Sequence, residues 1–113
     1  MIAGSEFIAF GLRLRPGSEA EYKRRHDAIW PEMRDALLGA GILQYEIHLN
    51  PADGMLFAFI LRRRDHRMDR LPETEVFQRW QAHMADILVR TDGLLRVPLE
   101  RMFVLSAEDQ AAS

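Results

Sequence analysis

The stretch ILQYEIHLNPADGMLFAFILR, residues 42–62, decides the fold. Over residues 42–49 apolar and polar side chains alternate, placing Leu43, Tyr45, Ile47 and Leu49 on one face of a strand and Gln44, Glu46 and His48 among those on the other. Asn50-Pro51-Ala52-Asp53-Gly54 is a cluster of turn formers, because proline presets φ, Asn and Asp bond to nearby backbone, and glycine accepts a positive φ. The following residues, 55–62, are apolar at nearly every position, so the second strand of this antiparallel hairpin is central or covered on both faces.

Upstream of the hairpin, FIAFGLRL at residues 7–14 is a first strand with Pro16-Gly17 beyond it. Ser18 stands three residues before Glu21, the spacing of a capping box, so a helix starts there. Tyr22, His26, Ile29, Trp30, Met33 and Leu37 then form one inward stripe, which Pro31 kinks or restarts and Gly39 and Gly41 end. Downstream, the charged residues 62–72 read as a surface loop. Val76, Phe77, Trp80, Met84, Ile87 and Leu88 recur at helical spacing after a suitable start at Pro72, Glu73, Thr74 and Glu75. LERMFVL, residues 99–105, reads as the last strand, residues 106–113 as a disordered tail and residues 1–6 as a flexible N-terminus.

The order is β-α-β-β-α-β: an α+β, ferredoxin-like domain over residues 7–105, with a four-stranded antiparallel sheet and helices on one face. The first and third strands carry large apolar side chains on both faces, Phe7 opposite Ile8 and Phe10, and Phe57 and Phe59 opposite Leu56 and Ile60. A monomer would expose one of these sets, so a homodimer joined through the open sheet face is expected.

Composition agrees with a single domain. The chain has 113 residues, 48% of them hydrophobic and 28% charged, which excludes a disordered or fibrous protein. A net charge of -2 offers no basic field for nucleic acid or an anionic membrane. There is no cysteine, hence no disulfide, thiol nucleophile or cysteine-metal site. The longest apolar run, residues 55–61, is far short of the roughly twenty residues of a membrane span, and no basic segment followed by an apolar one opens the chain. A cytoplasmic protein is expected.

Tyr22 and His26 lie four apart on a helix and share a face. A histidine in an inward stripe is commonly a packing residue, but this one has company: Tyr45 on the apolar face of the second strand and Trp80 on the inward stripe of the second helix. An imidazole, two phenols and an indole suit a sugar, with flat rings for C–H faces and a few donors and acceptors. Histidines 26, 48, 66 and 83 show no metal-ligand spacing, and no Gly-x-Ser-x-Gly is present. The RNA-recognition module has the same element order. Here, however, Asp53 stands where that module needs a base, two residues separate Gly54 from Phe57, and the pI is about 6.1.

With YKRRHDAIWPEM at 22–33, NPADGMLFAF at 50–59 and LPETEVFQRWQAHMADI at 71–87, the chain resembles the L-rhamnose mutarotase family over about residues 7–105. The resemblance implies a dimeric α/β-barrel type assembly that interconverts the α and β anomers of L-rhamnose without metal or organic cofactor. It also implies His26 as proton donor, with Tyr22, Tyr45, Trp80 and Gln81 at positions that contact the sugar. The sequence departs from the family in two places: Gln81 replaces a second tryptophan, and RTDGLLRVP at 90–98 replaces an Asn/Pro/Asp-rich stretch. No catalytic base is assigned at this point. A cofactor-independent monooxygenase and a small-ligand-binding domain without catalysis remain the alternative readings.

Overall fold

The computed structural model describes residues 4–107; residues 1–3 and 108–113, parts of the two expected flexible ends, lie outside the description. The elements run β1 (Ser5–Leu14), α1 (Glu19–Asp27), α2 (Pro31–Gly39), β2 (Ile42–Asn50), β3 (Met55–Arg63), α3 (Glu75–Met84), β4 (Leu88–Val89) and β5 (Val97–Pro98). Short 3₁₀ turns at Met68–Glu73 and Ala85–Ile87 flank α3. The antiparallel sheet has the order β2-β3-β1-β4, with β5 also on β1. This is the ferredoxin-like arrangement expected from the sequence.

Register explains which side chains face the helices. Ile8, Phe10 and Leu12 of β1 lie beside Ile60, Ala58 and Leu56 of β3. Tyr45 and Ile47 of β2 lie on the other side of Ile60 and Ala58. Because side chains alternate across a strand, these form one layer, under which Met33, Val76, Phe77, Trp80 and Met84 of the helices pack. Ala58 and Ile60, at its centre, are wholly buried.

The inward stripe that spans Pro31 is two helices. Trp30 takes an extended conformation, φ -60° and ψ 132°, and α2 restarts with Pro31 in its first turn, where an absent amide donor leaves nothing unsatisfied. The capping box does not form: Ser18 makes no side-chain cap bond, and Glu21 instead binds Arg24 and Arg25. At α3 the cap is Thr74, whose hydroxyl accepts from the Phe77 amide at 3.4 Å and donates to the Leu71 carbonyl at 2.7 Å.

Three further expectations need correction. Leu43 does not share the face of Tyr45: pairing passes from Ile42–Arg62 to Gln44–Leu61, leaving Leu43 as an exposed bulge and Ile42 buried. Residues 62–72 are not all loop, since β3 runs to Arg63 and the following 3₁₀ turn buries Leu71. Nor are residues 99–105 a strand within this chain. The place beside β1 is taken by β4 and β5, joined through a reversal with Asp92 at φ 51° and Gly93 at φ 79°. Pro98 has no amide to donate, and the chain leaves the sheet after it with Met102 86% and Phe103 80% exposed.

Candidate active site

A cleft of about 740 Å³ opens between the helix-facing side of the sheet and the helices. All five site residues chosen from sequence, Tyr22, His26, Tyr45, Trp80 and Gln81, line it. They come from three elements: α1 supplies Tyr22 and His26, β2 supplies Tyr45, and α3 supplies Trp80 and Gln81. Gln81 is exposed at the rim, whereas Tyr22 and Trp80 are buried. Apolar side chains such as Phe10, Leu12 and Met33 complete the wall.

One turn of helix stacks the Tyr22 and His26 rings 4.2 Å apart at 28°. His26 and Trp80 meet edge to face, with ring centroids 5.4 Å apart at 86°. Trp80 is held from behind by Trp30 at 5.1 Å and 88°, so the tryptophan of the Trp-Pro pair buttresses the site without lining it.

The His26 ring has a defined tautomer. Its Nδ1 lies 3.1 Å from the Tyr22 carbonyl oxygen, and a carbonyl can only accept, so Nδ1 carries the hydrogen and Nε2 keeps its lone pair. Burial pushes the His26 pKa below its ordinary value, against the opposing pull of that carbonyl bond and of Asp27. Burial pushes the phenols of Tyr22 and Tyr45 upward, and the positive charge of Arg96 offsets part of this at both. Near neutral pH the cleft therefore holds an uncharged imidazole beside two protonated phenols.

Arg25 sets the distance between α1 and α3. Its Nε donates to Glu21 at 2.6 Å, and its Nη1 donates to the His83 carbonyl at 2.7 Å and to Asp86 at 2.8 Å. A second bond to Asp86 at 3.2 Å makes the grip bidentate. The guanidinium groups of Arg24 and Arg25 hold the Glu21 carboxyl down to about 2. These bonds clamp the helix that carries His26 to the end of the helix that carries Trp80.

Sequence reasoning passed over Arg96. It belongs to the 90–98 segment, lines the cleft, and sits with its guanidinium 4.7 Å from the Phe10 ring centroid and 5.7 Å from that of Phe77. The one sequence signal for it was the departure of that segment from the family pattern. Among the described residues there is no group of three or more His, Cys, Asp or Glu side chains that could hold a metal ion. Among the same residues no helix is long and apolar enough to cross a membrane.

Fold and cleft together define a class: a ferredoxin-like α+β domain whose helix-covered face holds a cleft lined by aromatic rings and one imidazole. A family profile described as L-rhamnose mutarotase matches residues 8–105. A protein of Burkholderia orbicola (strain MC0-3) named L-rhamnose mutarotase is 51% identical over 102 residues, covering 88% of this chain and 98% of the relative. A Rhizobium meliloti (strain 1021) protein of the same name is 48% identical over 102 residues, with the same coverage of each chain. The crystal structure of an L-rhamnose mutarotase from Formosa agariphila is similar with a TM-score of 0.77 and 34% identity, over 89% of this chain and 99% of that one. The chain belongs to the L-rhamnose mutarotase family.

Proposed function

We propose that the cleft interconverts the α and β anomers of L-rhamnose, with His26 as the group that moves the protons. The observation that carries this reading is the uncharged His26 imidazole, its Nε2 lone pair available, set between the rings of Tyr22 and Trp80 in a cleft of about 740 Å³. That volume lies within the usual range of small-ligand sites.

Mutarotation removes the proton from the anomeric hydroxyl, breaks the bond from C1 to the ring oxygen, protonates that oxygen, and reverses these steps after rotation about C1–C2. A neutral imidazole takes a proton before it gives one. His26 therefore accepts the anomeric hydroxyl proton through Nε2 and, as the imidazolium, delivers it to the ring oxygen as the bond to C1 breaks. On closure it takes the proton back from that oxygen and returns it to the anomeric oxygen, so its acid role follows its base role. Tyr22, stacked on the imidazole, and Tyr45 keep their phenolic protons near neutrality and donate to the ring or hydroxyl oxygens. Trp80 packs on the apolar side of the sugar, and Gln81 binds a hydroxyl at the rim.

Saturation-transfer NMR on L-rhamnose tests the assignment directly. His26→Asn should keep the circular-dichroism spectrum of the native protein and slow anomer exchange by about 10²–10⁴-fold, the usual worth of general acid–base catalysis. Exchange at the native rate in that variant would remove His26 from the mechanism.

The same reading includes two copies of the chain joined through the open sheet face. Phe7 and Phe59 stand on that face 50% and 43% exposed, and the apolar segment 99–105 has no strand partner in its own chain among the described residues. A cysteine-free domain is suited to the reducing cytoplasm, which is the compartment we assign.

A further inference from the structure

Resting on the sugar-site reading above, we propose that Arg96 is a specificity-determining residue, donating hydrogen bonds from the edge of its guanidinium to a hydroxyl of the bound sugar. Its position is set by tertiary structure. β5 pairs Val97 with Gly11 and Pro98 with Phe10, which brings the preceding residue to the mouth of the cleft. Gly11 lies under this pairing, where a Cβ would meet Val97 Cβ at 3.7 Å, an ordinary contact, and the end of the Met55 side chain at 3.2 Å.

Two buried rings, Phe10 and Phe77, hold the guanidinium at 4.7 and 5.7 Å. Contact with an aromatic face leaves the N–H groups, which lie in the guanidinium plane, directed outward. Among the described residues no acceptor of the chain takes them, and no carboxylate pairs with the charge. The group also lines the cleft beside both phenols, Tyr22 and Tyr45, where its charge acts on each.

A planar fork of donors matches a pair of oxygens about as far apart as those of a carboxylate, which neighbouring sugar hydroxyls also provide. The cleft already holds the phenols and the Gln81 amide for single hydroxyls, and Arg96 adds a charged donor that a methyl or methylene position cannot use. It thereby favours the hydroxylated edge of the sugar in one orientation. Because the contact exists before and during ring opening, it strengthens substrate and transition state alike.

The test compares Arg96→Met, which retains length and ring contact but has no donor, with Arg96→Lys, which retains one charged donor group. Exchange rates measured against L-rhamnose concentration should show KM about tenfold higher in Arg96→Met, the loss expected for one charge-assisted hydrogen bond. The kcat should stay within about twofold and the melting temperature should not move, while Arg96→Lys should recover part of the KM. Across analogues that each lack one hydroxyl, the analogue missing the Arg96 partner should show the same KM with native protein and Arg96→Met. An unchanged KM for L-rhamnose in Arg96→Met overturns the proposal, as does an equal rise on every analogue, which is the mark of a packing role. A native chain that does not accelerate exchange at all brings down the sugar-site reading itself, a result separable from either of these.

Discussion

His26 carries its hydrogen on the nitrogen that meets the Tyr22 carbonyl, and this bond gives a pH dependence with a definite sign. In the proposed mechanism the active form is the neutral imidazole, and burial lowers its pKa below the ordinary 6.5. The kcat/KM for anomer exchange should therefore be level from pH 7 upward on this group and fall on the acid side with a midpoint below 6.5. An acid-side midpoint above 6.5 would contradict the assignment. The same shift affects folding: the unfolded chain binds the proton more readily, so the His26 contribution to stability is present above pH 6.5 and lost as pH falls through the lower native value. In the core beneath the site, Ile60 is wholly buried between β1 and β2, and Ile60→Ala should cost about 2–5 kcal/mol in urea unfolding. At this scale the sequence is informative about pairs on one element. The four-residue step from Tyr22 to His26 places both on one face of a helix, within reach of each other. The tautomer was not legible, because only the helix makes the Tyr22 carbonyl available to Nδ1.

Two similar-looking helix starts behave differently at the scale of elements. Thr74 caps α3 with its hydroxyl, whereas Ser18 at α1 makes no such bond. Thr74→Ala should thus cost about 1 kcal/mol and Ser18→Ala about 0.5 kcal/mol or less, both read from thermal or denaturant unfolding. The difference lies in the backbone, extended at Thr74 (φ -84°, ψ 145°) but not at Ser18 (φ -99°, ψ 6°), while Glu21, the other half of the expected box, is taken by Arg24 and Arg25. That diversion has a use. Arg25 links α1 to the His83 carbonyl at the end of α3 and to Asp86 just beyond it, so Arg25→Met should lower the melting temperature and slow exchange through a lowered kcat. A native kcat in Arg25→Met would show that the clamp does not position His26. Periodicity located each long element, yet it did not separate α1 from α2 or reveal the Leu43 bulge. Both are settled by what packs against them: the Trp30 turn fits the ring of Trp80, and the bulge keeps Ile42 inside.

For the whole molecule, the open sheet face and the unpaired 99–105 segment lead to one expectation. Phe59→Arg should convert a dimer into a monomer in sedimentation velocity, and the native melting temperature should rise with protein concentration while that of the variant does not. A native protein that sediments as a monomer at micromolar concentration would end the dimer reading. By itself the sequence determined the α+β class, the elements from β1 to α3 and the cleft residues Tyr22, His26, Tyr45 and Trp80, since hydrophobic period and turn chemistry are local and the fold offers few ways to bury the resulting faces. Only the tertiary structure decided that β4 and β5, instead of residues 99–105, lie beside β1, and that Arg96 reaches the cleft. The physical reason is that strand pairing and side-chain convergence join residues far apart along the chain. Their partners are chosen by competition for one sheet edge and one cavity, and no local pattern records that competition.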